Sequence, residues 1–205
     1  MAIAARRANA QFVHLSTDYV FDGDATTPYT ETAATNPASV YGQTKRDGEI
    51  GVLAEYRDAV IMRTSWVFSE FGGNFVKTML RLSQERDSLS IVDDQIGGPT
   101  SAHDIAAAIS AIAVHRDDAR GHGGIYHYQG APAVSWADFA CEIFQMAARS
   151  AAVTGIPTAD YLTPATRPLR TVLDCQKITD TFGVSPPDWK QSLRYVLDKL
   201  ENGAK

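Results

Sequence analysis

The sequence predicts an α/β fold built on a parallel sheet, and three observations carry that prediction. Short apolar runs of strand length alternate with longer stretches of helical periodicity. Ser16-Thr17-Asp18 follows the first apolar run directly, at the strand end where open α/β sheets gather ligand-binding groups. Ser101-x-x-Asp104 and Ser135-x-x-Asp138 each place a capping signal ahead of a helical stretch.

The elements follow in order. Met1 to Ala10, rich in Ala and Arg, reads as the last turns of a helix. Gln11 to Leu15 is a buried strand, and Asp22-Gly23-Asp24 is a turn. Asn36 as cap and Pro37 at the first helical position start a helix running to about Glu55, weakened by Gly42, Gly48 and Gly51. Ala59 to Phe68 is a second strand. Asn74 to Glu85 is a helix, with Phe75, Met79 and Leu82 at helical spacing. A third strand spans Leu89 to Val92, and Gly97-Gly98-Pro99-Thr100 is a turn. Ser101 opens a helix through His115, Ile125 to Tyr128 is a fourth strand, and Ser135 opens a helix to about Arg149. Thr- and Pro-rich sequence up to Leu173 reads as loop. Two short helices, Asp174 to Phe182 and Asp188 to Leu200, close the chain.

Composition narrows the function. With 44% hydrophobic and 21% charged residues, the 205-residue chain is an ordinary globular protein, one domain or one plus a small appendage. A net charge of -5 leaves no basic surplus for phosphates, so the chain is not expected to bind nucleic acid. Ile105 to Val114, interrupted by Ser110, is far short of the ~20 residues a membrane span needs. No apolar segment follows Arg6 and Arg7 as a signal peptide would require. Cys141 and Cys175 share no ligand spacing and read as reduced thiols of a cytoplasmic protein. His14, His103, His115, His122 and His127 show no metal-binding spacing, and no metal is predicted. Asp117, Asp118 and Arg120 read as a charged helix exit.

Chemistry concentrates at Tyr41-Gly42-Gln43-Thr44-Lys45. Residues four apart share a helix face, so Lys45 would hold its ammonium near the Tyr41 hydroxyl and favour the phenolate. Such a tyrosine can donate a proton to a carbonyl or accept one in reverse. Alone the pattern is weak, because Tyr and Lys fall at this spacing by chance. Thr17 has a hydroxyl suited to a substrate oxygen; an ST-turn at the strand exit is the competing reading. Trp66 is an apolar wall for a sugar or base, or a core residue. Arg167 is a bidentate phosphate donor or a solvated loop arginine.

These segments together resemble the extended short-chain dehydrogenase/reductase superfamily and, within it, the dTDP-4-dehydrorhamnose reductase family. The resemblance is carried by STDYVFDG (Ser16 to Gly23), PYTE (Pro28 to Glu31), NPASVYGQTKRDGE (Asn36 to Glu49), RTSWVFSEFGGNFVKTML (Arg63 to Leu80), DDQIGGPTSAHDIA (Asp93 to Ala106) and TRPLRTVLD (Thr166 to Asp174). YxxxK belongs to the whole superfamily, whereas STDYVFDG with RTSW and DQIGGPT is much narrower. The implied fold is a partial doubly wound, NAD(P)-binding Rossmann-like sheet over residues 1–115. A small C-terminal substrate-binding region over 116–205 interleaves with it.

The resemblance implies site residues one by one. Tyr41 matches the catalytic acid/base, Lys45 the lysine that lowers its pKa and holds the nicotinamide ribose, and Thr17 the hydroxyl that orients the carbonyl. Tyr41, Lys45, Ser16 and Arg63 are the implied cofactor-binding residues. Thr17, Asp18, Tyr19, Trp66, Asn74 and Arg167 are the implied substrate contacts. The implied reaction is hydride transfer from NADPH, or NADH, to C4 of dTDP-4-dehydro-L-rhamnose, in precursor synthesis for cell-surface polysaccharide. Some relatives bind magnesium, which is not predicted for this chain.

Two departures accompany it. The family's N-terminal strand, glycine-rich turn and helix, roughly ninety residues that hold the cofactor pyrophosphate, have no counterpart here. An apolar sheet edge is then expected to be covered by a homodimer or a partner chain. Where the family commonly has Asn-Ser after Arg-Pro, this chain has Leu169-Arg170-Thr171. Three readings compete with the reductase: a non-catalytic sugar-nucleotide-binding or regulatory subunit, a related epimerase or dehydratase, and an inactive truncated product. RTSW and DQIGGPT favour the reductase over the second, and the intact Tyr41, Lys45 and Thr17 set argues against the first.

Overall fold

The computed structural model describes residues 1–114, 122–161, 163 and 165–203. The expectations for His115, Asp117, Asp118 and Arg120, and the 115/116 division, lie outside the described residues.

A short helix α1 (Ala2–Arg7) leads into β1 (Val13–Thr17). Helix α2 (Val40–Glu55) returns the chain to β2 (Val60–Thr64), which continues after a break into β3 (Val67–Phe68). Then come α3 (Phe75–Glu85), β4 (Ser88–Val92), β5 (Ile96–Gly97), β6 (Thr100–Ser101) and α4 (Ala102–Val114). The second stretch holds β7 (Gly124–His127), β8 (Val134–Ser135), α5 (Trp136–Met146), β9 (Ala152–Ile156), α6 (Gln176–Phe182) and α7 (Trp189–Gly203).

The α/β expectation holds. The main sheet has the order β1-β2-β7, all parallel, with Thr17 opposite Thr64 and Arg63 opposite His127. Because side chains alternate along a strand, Val60, Met62 and Thr64 share the face that packs α4 and α6. The opposite face, with Arg63, receives α2. A second apolar cluster, around Phe139, Ile143, Trp189, Leu193 and Val196, joins α3, α5 and α7 to β4. Strand β7 comes late in the sequence yet completes the main sheet.

Several local expectations are corrected. Ser39, not Asn36, caps α2: its extended backbone precedes the helix, and its Oγ accepts from Gly42 N at 3.2 Å. The strand expected over Ala59 to Phe68 is two strands, because Trp66 adopts φ +46° and ends the β2 ladder. Ser101 and Asp104 form no capping box. Ser101 Oγ accepts from His103 N, and the Asp104 carboxylate accepts from Ser192 Oγ at 2.6 Å. At Ser135 and Asp138 the capping box does form. The expected loop before Leu173 contains β9, which pairs in parallel with β4. It is half-exposed and interrupted by Gly155, so it lacks an apolar alternation.

Candidate active site

Helix α2 buries only Gly42 and Glu49. Those two residues fix where its functional face lies. A Cβ on Gly42 would sit 2.1 Å from Tyr19 O, so the first turn of α2 lies directly on the turn after β1. Seven residues on, Glu49 makes a buried bidentate ion pair with Arg63, Nε to Oε1 at 2.9 Å and Nη2 to Oε2 at 2.6 Å. Tyr41, Lys45 and Glu49 follow one another at intervals of four along one face.

Between these anchors, Lys45 Nζ donates to Leu15 O on β1 at 2.5 Å. Burial, and then the Lys45 ammonium, lower the pKa of the neighbouring His14. Tyr41 is 55% exposed and meets the edge of Tyr19, ring centroids 6.0 Å apart. Burial, and next the Asp18 charge, raise the Tyr19 phenol.

A cavity of about 630 Å³ opens here, lined by Ser16, Thr17, Asp18, Tyr19, Tyr41 and Lys45 on one side and by α4 on the other. Its size suits a small-molecule site. Ser16 Oγ and Thr64 Oγ1 line it and are buried without hydrogen-bond partners. A buried polar group left unpaired costs about 1–3 kcal/mol, so both hydroxyls are suited to a ligand.

The aromatic end of the cavity is built from Trp66 and Trp136, stacked with centroids 3.5 Å apart and planes within 4°. A Cβ on Gly97 would meet Trp66 Cε2 and Nε1 at 2.6 Å, so the Gly97-Gly98 stretch is the floor under that ring. Ser65 Oγ, on the residue after β2, donates to Gly98 O at 2.6 Å and holds the floor there. Trp136 also lines a second cavity of about 870 Å³ with Phe75, Arg86, Gln95, Tyr161 and Arg167.

The structure thus brings together Tyr41, Lys45, Thr17, Ser16, Asp18, Tyr19 and Trp66, and sets Arg167 in the adjoining cavity. Two more of the expected site residues lie outside this cavity. Arg63 does not reach the cavity as a cofactor ligand; its guanidinium is 2% exposed and committed to Glu49, with His127 Nε2 3.4 Å away. Asn74 does not line it either. Its Oδ1 caps α3 by accepting from Lys77 N, and its Nδ2 donates to Ser69 O at 2.7 Å. Asp18 lines the cavity, and its carboxylate oxygens accept from two hydroxyls, Thr17 on one and Thr171 on the other. The ST-turn reading of Thr17 is also realised, since its Oγ1 accepts from Tyr19 N at 3.3 Å.

Sequence reasoning missed Thr64, Trp136, Glu49 and Thr171. Glu49 was signalled by the repeat of four from Tyr41 through Lys45. Thr64 was signalled by its place at a strand end, level with Thr17. Trp136 and Thr171 reach the site only through tertiary packing. Among the described residues no three His, Cys, Asp or Glu side chains are grouped to hold a metal ion, and no helix is long and apolar enough to cross a membrane.

Comparison with known proteins gives the family. Residues 1–202 match the RmlD substrate binding domain. The chain is 45% identical over 205 residues to a dTDP-4-dehydrorhamnose reductase of Aggregatibacter actinomycetemcomitans, covering 96% of this chain and 69% of that protein. The crystal structure of a dTDP-4-dehydrorhamnose reductase from Clostridium acetobutylicum superposes with a TM-score of 0.91 at 39% identity, covering 98% of this chain and 69% of that one. The Bacillus anthracis dTDP-4-dehydrorhamnose reductase in complex with NADP gives 0.89 at 33% identity, covering 97% and 69%. The chain belongs to the dTDP-4-dehydrorhamnose reductase family, through its RmlD substrate-binding domain.

Proposed function

We propose that the chain reduces the C4 ketone of dTDP-4-dehydro-L-rhamnose to the alcohol of dTDP-L-rhamnose, with NADPH as reductant. The observation that carries this reading is the convergence of Tyr41, Lys45 and Thr17 on one cavity that also holds two unpartnered buried hydroxyls. Those hydroxyls, on Ser16 and Thr64, together with Lys45 and Tyr41, fit the nicotinamide and ribose end of the cofactor. NADPH, when bound, supplies the hydride.

The protein's own part is orientation and proton delivery. Tyr41 protonates the C4 oxygen as the hydride arrives, and Lys45, anchored on Leu15 O, brings a positive charge to the same cavity. Thr17 is the second polar contact to that oxygen. Trp66, with Trp136 at its back, forms the apolar wall for the deoxysugar. The adjoining cavity, reached past Trp136 and bearing Arg167, takes the nucleotide end, where Arg167 pairs with phosphate. The main sheet and α2 then carry the hydride chemistry, and the α3, α5 and α7 cluster carries substrate recognition.

Strand β1 is an edge of the sheet, with Leu15, Val40 and Ile50 exposed near it. A homodimer or a partner chain covers this edge in the same reading, and the setting is cytoplasmic. A light-scattering mass equal to the 22.2 kDa monomer would contradict the dimer.

The test is Tyr41→Phe, assayed by NADPH oxidation with the keto sugar nucleotide. Losing the proton donor is expected to lower kcat by about 10²–10⁴-fold with an unchanged circular-dichroism spectrum. A variant that keeps most of its activity removes Tyr41 from the role.

A further inference from the structure

Asp18 sits in the middle of a buried chain of hydroxyl, carboxyl and hydroxyl that proton delivery by Tyr41 does not use. Thr17 Oγ1 donates to Asp18 Oδ1 at 3.0 Å, and Thr171 Oγ1 donates to Asp18 Oδ2. Asp18 and Thr171 are each 2% exposed, and Thr17 is 6%. Thr171 comes from a segment 153 residues away in sequence, so the contact is specific to the fold.

A hydroxyl has one hydrogen to donate and two lone pairs to offer. While Asp18 is ionised, the Thr17 hydrogen points at the carboxylate and one lone pair is taken by Tyr19 N. A single lone pair then remains for the cavity. Thr17 in that state accepts from an alcohol and has nothing to give a ketone oxygen.

We propose that Asp18, clamped between Thr17 and Thr171, sets the hydrogen-bond polarity of the Thr17 hydroxyl at the reaction site. When Asp18 takes one proton from water, its carboxyl donates that proton to Thr17 Oγ1. The Thr17 hydrogen then turns to the cavity and serves a carbonyl oxygen. When Asp18 loses the proton, Thr17 reverts to an acceptor suited to the product hydroxyl. Asp18 and Thr171 are positioning residues, acting through Thr17. The inference rests on the reading of Thr17 as a contact to the reacting oxygen.

The surroundings suit such a group. Burial pushes the Asp18 carboxyl up to about 6, and the Thr171 and Thr17 hydroxyls pull it back. The other titratable or charged groups near it are Tyr19 on its own turn, Tyr41 and Lys45 from α2, and Arg167 from the segment that carries Thr171, where Arg170 adjoins Thr171 in sequence. Arg167 acts on Tyr19, and among the described residues no cation forms an ion pair with Asp18.

The experiment is calorimetric binding of dTDP-L-rhamnose, the alcohol probe, to the full chain across pH 5 to 8, a window of about three units around the Asp18 titration. In the parent protein, affinity is expected to rise by about three- to tenfold as Asp18 ionises, the worth of one hydrogen bond. Thr171→Val removes a donor to the carboxylate and moves the midpoint to higher pH. Thr171→Ser keeps the hydroxyl and restores it. Asp18→Asn removes the step. A step that survives in Asp18→Asn, or a midpoint unmoved in a folded Thr171→Val, overturns the proposal. So does binding without any pH step, which leaves the reductase reading intact. Absence of binding at every pH overturns the substrate-site reading itself, and this inference with it.

Discussion

Gly42→Ala puts the geometry of α2 to a quantitative test. The added methyl would sit 2.1 Å from Tyr19 O and 2.9 Å from Pro37 Cβ, where ordinary contact begins at 3.4 Å. The difference for the backbone oxygen is 1.3 Å, and neither neighbour is the end of a flexible side chain. Helix α2 must therefore withdraw from the turn after β1 by about 1 Å, and Tyr41, the preceding residue, moves with it. Overpacking of this kind costs about 1–3 kcal/mol. Alanine returns about 0.5–1 kcal/mol of helix propensity over glycine. The net loss of stability is then about 0–2.5 kcal/mol. Activity should suffer far more, because an ångström of misplacement at a reacting group costs about 10²-fold in rate. Gly51→Ala is the control: it lies on the same helix, its Cβ would meet nothing within 4 Å, and it should stabilise slightly with kcat unchanged. Urea unfolding followed by tryptophan fluorescence gives the first quantity, and NADPH oxidation the second. If Gly42→Ala turns over at the parent rate, contact with Tyr19 does not set the position of Tyr41.

Two further substitutions test the supports of the site. Glu49→Ala leaves the Arg63 guanidinium buried and unpaired, and should cost about 3–5 kcal/mol in urea unfolding; a loss below 1 kcal/mol, the worth of about one exposed pair, would mean that water reaches Arg63. Gly97→Ala drives a methyl into the Trp66 ring and should part it from Trp136. The expected result is a changed near-ultraviolet circular dichroism and a raised KM for the sugar nucleotide, and unaltered spectra would show that the ring yields without turning.

The helices and the main strands were legible because each has a local cause. Apolar spacing marks α3, a complete capping box marks α5, and Gln11 to Leu15 is apolar enough to announce a strand. What escaped was set by contacts distant in sequence. Trp66 breaks its strand because its ring stacks on Trp136 and its carbonyl accepts from Thr100 N, and nothing near residue 66 signals either partner. Strand β9 exists because β4 offers it an edge. Asn74 and Arg63 illustrate the same limit at the site. Both lie in family-like motifs beside the reactive residues, yet their polar atoms are used up in a helix cap and a buried ion pair. A motif fixes which side chains are nearby, whereas the hydrogen-bond inventory decides which remain available to a ligand.

That inventory also controls acid stability, through two buried groups of opposite sense. His127 is fully buried; burial, with the Arg63 charge adding to it, depresses its pKa from 6.5 to about 3. Neutral His127 therefore contributes stability that is present above pH 6.5 and is lost as pH falls toward 3. Asp18 is raised from 3.8 to about 6, so its contribution is complete below pH 3.8 and is lost as pH rises through 6. Each slope is about 1.4 kcal/mol per pH unit, and between about pH 4 and 6 they oppose each other. The parent protein should consequently show a shallow profile there, with a small slope of the His127 sign from half-buried His14, whose pKa is also lowered. Asp22 and Glu70 are held below their ordinary values, by the Tyr29 hydroxyl and by a backbone N–H respectively, and so act only at the acid end. Removing one buried group exposes the other. Asp18→Asn should lose about 2–3 kcal/mol in urea unfolding between pH 6 and 4, and His127→Gln should gain a similar amount over the same interval. Parallel profiles in the two variants would mean that these buried groups do not titrate in opposition, and would undercut the view of Asp18 as a carboxyl that takes up its proton inside the fold.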